Sequence, residues 1–204
     1  MNESDISKYC DLMEEVKKRL KVIDALHSNN GRNLYEATAI ESIYLQFRKV
    51  LELIAMGSLV ANKKVMAEAY ENIEKSWNAE YILKDIGRLN PLFYPKPIIE
   101  NSSSSPKVVS NWEDRDDDYL TQKEFVRLYK RAGAIAHADN PLGKKTNYAS
   151  YKSKIPVWRQ KIMSLLNSHQ IRLVGDENIY LIHMKEDRDD KVHGYTFAPT
   201  EEPG

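Results

Sequence analysis

Arg131 and His137 stand six positions apart at the end of a helical pattern, and Asp139, Asn140 and Pro141 follow at once. An arginine and an imidazole this close are what a phosphodiester-cleaving or phosphate-binding site needs. In RNA cleavage without a metal, the neighbouring 2′-hydroxyl attacks phosphorus. His137 would then move a proton, and Arg131 would stabilise charge on the phosphorane oxygens. Six residues at ~100° each leave the two side chains about 120° apart on a regular helix. They converge only through arginine's length, a distorted last turn or a partner protomer. Lys130, seven residues before His137, shares its face and is an alternative cation. The competing reading makes His137 a helix cap and Asp139-Asn140-Pro141 ordinary turn chemistry.

Charge points to the same region. The chain has 204 residues and no net charge, which argues against a surface built throughout for nucleic acid. Residues 121–172, however, hold eleven basic residues against two acidic ones, while 100–120 and 173–204 are acidic. A polyanion would meet the third segment, through Arg127, Lys130, Lys144, Lys145, Lys152 and Lys154. Tyr148 and Tyr151 lie among these lysines, a mixture suited to single-stranded nucleic acid. The alternative is that the acidic flanks fold over the patch and neutralise it.

The elements that must position these residues are mostly helices. Tyr9, Met13, Val16, Leu20 and Ile23 recur at helical spacing, with Ser4 available as cap. A second helix starts near Asn33, reaches about Ala61 and is apolar on most of its circumference, as the centre of a bundle would be. Shorter helices are expected over 65–75 and 79–89. Thr121 and Glu124 form a capping box, with Leu120 and Phe125 as its staple, and Pro141 and Gly143 end that helix near Ala138. A last helix covers about 148–167, with Pro156 kinking it or starting its second part. Runs at 171–174, 179–184 and 192–197 read as strands.

The fold expected is therefore mainly α, a helical bundle with a small C-terminal three-stranded antiparallel β-meander. Residues 1–99 supply the first part of the bundle, 100–120 an acidic, serine-rich loop, 121–168 the second part, and 169–204 the meander and tail. No apolar run approaches a membrane span, and Cys10, the single cysteine, suits a reducing cytoplasm as a core thiol. No glycine-rich phosphate loop is present and no cofactor is expected.

Arg131-Ala132-Gly133-Ala134-Ile135-Ala136-His137 resembles the R-x4-6-H motif of the HEPN superfamily (higher eukaryotes and prokaryotes nucleotide-binding). The long second helix, with Gln46-Phe47-Arg48-Lys49-Val50-Leu51-Glu52, looks like that family's central helix. The resemblance implies a helical, metal-independent ribonuclease or RNA-binding protein, a toxin or antiphage effector, with a composite site built by a homodimer. Ala132 departs from the family, where the position after the arginine is often polar.

A non-catalytic regulatory protein, binding nucleic acid or an acidic protein partner through the same basic face, is the alternative. A third reading is a nucleotide or small-anion sensor. His183 and His193 would lie opposite each other on neighbouring strands. Two imidazoles so placed could hold a metal, especially with Asp187, Asp189 and Asp190 nearby, although no third ligand is obvious; otherwise they belong to a solvated sheet face. His27 and His169 read as capping or surface residues. Trp77, Trp112, Trp158, Phe93 and Tyr94 read as core.

Overall fold

The computed structural model describes residues 1–28, 35–64, 78–102 and 110–199. The expected helix over 65–75, the Asn33 cap and Trp77 fall outside them. Among the described residues five helices surround a common core: α1 (Glu3–Ser28), α2 (Glu36–Ala61), α3 (Ala79–Leu89), α4 (Gln122–Ala134) and α5 (Tyr148–Leu166).

The helices form where side chains can close their ends and bury one stripe. Asn2, rather than Ser4, caps α1 by accepting from the Asp5 amide at 2.8 Å. Asn78 caps α3 through the Glu80 and Tyr81 amides. The Thr121–Glu124 box opens α4 as expected, and Leu120 and Phe125 are fully buried around it. In α5, Pro156 sits inside a continuous helix.

The centre of the bundle is α2, which packs against α1, α3, α4 and α5. Its Tyr44, Phe47, Val50, Leu51 and Ile54 are fully buried. Helix α1 applies the predicted stripe of Tyr9, Met13, Val16, Leu20 and Ile23 to it. The two approach closely at Gly57, where an added Cβ would lie 2.8 Å from Tyr9 Cε2. The Tyr9 ring cannot easily yield, because its hydroxyl is hydrogen-bonded to His169 Nε2 at 2.9 Å inside the core. Gly57→Ala gains about 1 kcal/mol of helix propensity but incurs an overpacking cost of about 1–3 kcal/mol and strains that buried hydrogen bond. A net destabilisation of about 1–2 kcal/mol is expected, read as a lower midpoint in urea. An unchanged or raised midpoint would contradict the close packing described for Tyr9.

The sheet is larger than the sequence suggested. Among the described residues five antiparallel strands run in the order β2-β1-β3-β4-β5, with β1 Lys96–Ser102, β2 Ser110–Asp114, β3 Ser168–Ile171, β4 Ile179–His183 and β5 His193–Phe197. The expected 100–120 loop contributes the end of β1 and all of β2, whose prolines, serines and acids carry little apolar alternation. The β1–β3 pairing is confined to Lys96 and Pro97, so proline interrupts little of the ladder.

The strand expected at 171–174 is instead Ser168–Ile171, starting directly after α5. Its His169 and Gln170 are polar, yet 0% and 2% exposed. A buried strand made of such residues has no hydrophobic signature. His169 is thus a core residue: it contacts the helix-terminal carbonyl of Leu166 through Nδ1 at 2.7 Å.

One sheet face packs on α1, where Gly194 admits Ile6 and Cys10. Burial, with Asp11 and Glu14 nearby, pushes the Cys10 thiol up to about 11, so it stays a protonated packing group. The other face curls until Trp112 and Phe197, on the two edge strands, meet edge to face at 5.1 Å. Trp158 and Phe93 are buried in the core as read from the sequence.

Candidate functional site

Helix α4 buries Phe125, Leu128, Tyr129 and Ala132 and closes at Ile135, four residues before the loop that begins at Asp139. Its last turn tightens, with Ala136 donating to the Gly133 carbonyl and His137 to that of Ala134. His137 therefore lies outside the helix rather than on its final turn at Ala138. Its ring makes no hydrogen bond to a helix carbonyl among the described residues.

Arg131 and His137 do not converge within the protomer. Arg131 turns toward α5, where Nη2 donates to Ser150 Oγ at 3.1 Å and the guanidinium covers the Tyr151 ring at 4.0 Å. Its Nε is buried without a hydrogen-bond partner. Tyr44 meets the edge of Tyr151 at 4.8 Å and donates to its carbonyl. Burial raises the Tyr44 hydroxyl, with Arg131 pulling the other way. Tyr151 is thus enclosed by Arg131 and Tyr44, which leaves it poorly placed to stack on a base.

His137 instead borders an open groove of about 480 Å³, with Thr38, Glu41, Ser42 and Leu45 of α2 on one side and Tyr148 on the other. The Tyr148 hydroxyl donates to Glu41 at 2.5 Å, and that bond is the main reason its acidity is pushed to about 12. Asp139 closes the loop below the groove by accepting from the Thr146 amide and hydroxyl. Those bonds hold its carboxyl below the usual range. Asp139 is occupied by turn chemistry, as one of the two sequence readings had it.

Among the described residues the basic segment is partly neutralised, but not by the acidic flanks. Lys130 pairs with Glu80 at 2.9 Å, Lys152 with Glu36 at 2.5 Å, Lys161 with Glu124 at 3.0 Å and Arg159 with Asp24 at 2.8 Å. These acids come from α1 to α4, because bundle packing places the start of α5 beside α2. Arg127 reaches Glu124 at 3.4 Å and lies over Trp158 at 5.0 Å. Lys144, Lys145 and Lys154 are exposed and make no ion pair among the described residues.

Sequence reasoning missed Glu41 and the Tyr148–Glu41 bond, which join helices more than a hundred residues apart in the chain. It placed His183 opposite His193, and the register agrees. The two imidazoles nevertheless face different carboxylates, Glu186 and Glu100 for His183 and Asp189 for His193. Among the described residues no group of three His, Cys, Asp or Glu is placed to hold a metal. No protein-family model, curated protein or solved structure matches the chain.

Proposed function

We propose that the protein is a HEPN-like RNA-binding protein that cleaves RNA without a metal, using the surface formed by the end of α4, residues 135–147 and the start of α5. One observation carries the reading: His137 is exposed, free of helix-capping bonds, and borders a groove beside a loop whose Lys144 and Lys145 have no ion pair among the described residues. The loop lysines and Lys154 would attract the phosphate backbone, and Tyr148 would offer its ring edge to a base. His137 would exchange the proton of the attacking 2′-hydroxyl.

Arg131 enters this scheme in one of two ways. Its guanidinium leaves Tyr151 when RNA binds, or a second protomer supplies the cation and the active form is a homodimer. In either case the setting is the cytoplasm; no described helix is long and apolar enough to cross a membrane. A second reading rests on the same arginine. Because Arg131 is already bonded to Ser150 and stacked on Tyr151, the surface would bind RNA or an acidic protein partner without cleaving it.

RNA binding measured by fluorescence anisotropy across a salt series tests the surface. A Lys144→Ala/Lys145→Ala/Lys154→Ala variant is expected to bind single-stranded RNA more weakly and to lose about two units from the slope of log K against log salt. Equal slopes for both proteins would remove these lysines from the interface. Incubation of the wild type with labelled RNA in chelator tests cleavage; products ending in 2′,3′-cyclic phosphate are expected, and intact RNA would leave the binding reading in place.

A further inference from the structure

Among the described residues, no arginine or lysine lines the groove at His137, and Arg131 is turned toward Tyr151. The next turn of α2 carries a cation. Glu41, Leu45 and Arg48 follow one another at spacings of four and three, so they share one helix face. Glu41 and Leu45 form the groove's α2 wall, and Arg48 stands one turn beyond it. Its side chain packs against α4 at Gly133, where an added Cβ would lie 2.9 Å from Arg48 Nη1. The Gly133 carbonyl accepts from the groove-lining Ala136, and His137 follows directly. Arg48 and His137 therefore stand about one turn apart along the seam between α2 and α4.

A glycine in the last turn of a helix is unfavourable by itself. Here it makes room for a guanidinium that is fixed on three sides. Nε donates to Glu52 at 3.2 Å, Nη2 donates to the Tyr129 hydroxyl at 2.8 Å, and the guanidinium carbon lies 4.3 Å from the centre of the Tyr129 ring. Nη1, the remaining edge, makes no hydrogen bond among the described residues and is not buried. Glu52 also pairs with Lys49 at 3.6 Å, so two cations share one carboxylate and the patch keeps a net positive charge. An open donor on a guanidinium already immobilised binds a phosphate oxygen with little ordering cost.

We propose, on the strength of the RNA-cleavage reading above, that Arg48 holds the phosphodiester group on which His137 acts, with Nη1 donating to a non-bridging oxygen. Cation and imidazole then come from one protomer, and Arg131 stays on Tyr151. In the step, O2′ bonds to phosphorus and the P–O5′ bond breaks. The 2′ proton passes to the imidazole, O5′ takes a proton from solvent, and the products are a 2′,3′-cyclic phosphate and a 5′-hydroxyl. The negative charge that builds on the non-bridging oxygen falls on Nη1.

The test compares wild type, Arg48→Gln and Gly133→Ala, each shown to be folded by circular dichroism. Cleavage is measured on labelled single-stranded RNA in chelator. Binding is measured by anisotropy across a salt series with the same sequence as a 2′-deoxy oligonucleotide, which cannot be cut. Arg48→Gln is expected to lower cleavage at saturating RNA about 10²–10³-fold, the usual loss for one oxyanion donor, and to take about 0.7 unit from the salt slope. Gly133→Ala presses only on the tip of a flexible side chain. It is expected to keep a urea midpoint near that of the wild type while cleavage falls about tenfold or more. A purely structural tie between α2 and α4 would not give that combination. Mixing Arg48→Gln with His137→Ala is expected to restore no activity. Wild-type cleavage in either variant, an unchanged salt slope in Arg48→Gln, or activity recovered on mixing would overturn the proposal. Failure of the cleavage reading is seen separately, as wild type that binds the deoxy oligonucleotide but leaves RNA intact; the salt slope of Arg48→Gln then still decides the phosphate contact.

Discussion

His137→Ala is expected to lower RNA cleavage by about 10²–10⁴-fold, the usual contribution of a positioned acid–base group. The variant suits the question because His137 is exposed, lies beyond the end of α4 and contributes its backbone, not its ring, to the closing turn. Its fold and RNA affinity should therefore match the wild type. Chelator in both reactions excludes contaminating metal-dependent nucleases, and cyclic phosphate ends identify attack by the 2′-hydroxyl.

Arg131→Ala would be a poorer probe, since it also removes the Ser150 hydrogen bond and the cover over Tyr151, and a loss of activity could come from a displaced α5. Arg131→Lys, which keeps the charge but loses the planar stack, separates the two roles. Cleavage that survives intact in His137→Ala would show that the imidazole is not the proton-transfer group. RNA left intact by the wild type as well would make the regulatory or binding role the better account.

The second large effect concerns stability in acid. His169 is fully buried between the Leu166 carbonyl and the Tyr9 hydroxyl. Burial lowers its pKa to about 4, the Leu166 hydrogen bond opposes the shift, and His183 adds slightly to it. The unfolded chain carries this histidine with an ordinary pKa near 6.5. Between those values the unfolded state binds the extra proton, so stability rises with pH through that window. His169 therefore contributes stability that is complete above pH about 6.5 and is lost as pH falls toward 4, amounting to about 3 kcal/mol.

Urea denaturation at several pH values between 7 and 4 measures the effect. The chain has four other histidines, so the comparison is with His169→Gln, which retains hydrogen-bonding capacity but has no imidazole. The wild type is expected to lose stability more steeply than the variant over that window. Parallel pH profiles would mean that His169 takes up its proton without unfolding the core. Glu124, Asp176 and Glu186, each held below the usual carboxylate range by hydrogen bonds, add losses at lower pH still.

The sequence by itself determined the five described helices, because the information for a helix is local. The Thr121–Glu124 box and the apolar stripe of α1 each lie within a few turns of chain. The nearly all-round apolar character of α2 then dictates that other helices surround it. Strands β4 and β5 were legible for the same reason, through alternation and an intervening turn.

Tertiary structure alone decided the rest. Strands β1 and β2 gain their order from partners, and β3 buries His169 and Gln170 because Tyr9, Leu166 and neighbouring strands receive them. Arg131 and His137 are close in sequence, yet the early end of α4 sends one toward Tyr151 and the other into the α2 groove. The segment charge was correct as arithmetic, but bundle packing supplied Asp24, Glu36, Glu80 and Glu124 to Arg159, Lys152, Lys130 and Lys161. Ion pairs and side-chain direction depend on which surfaces meet in space, and no local window of the chain contains that information.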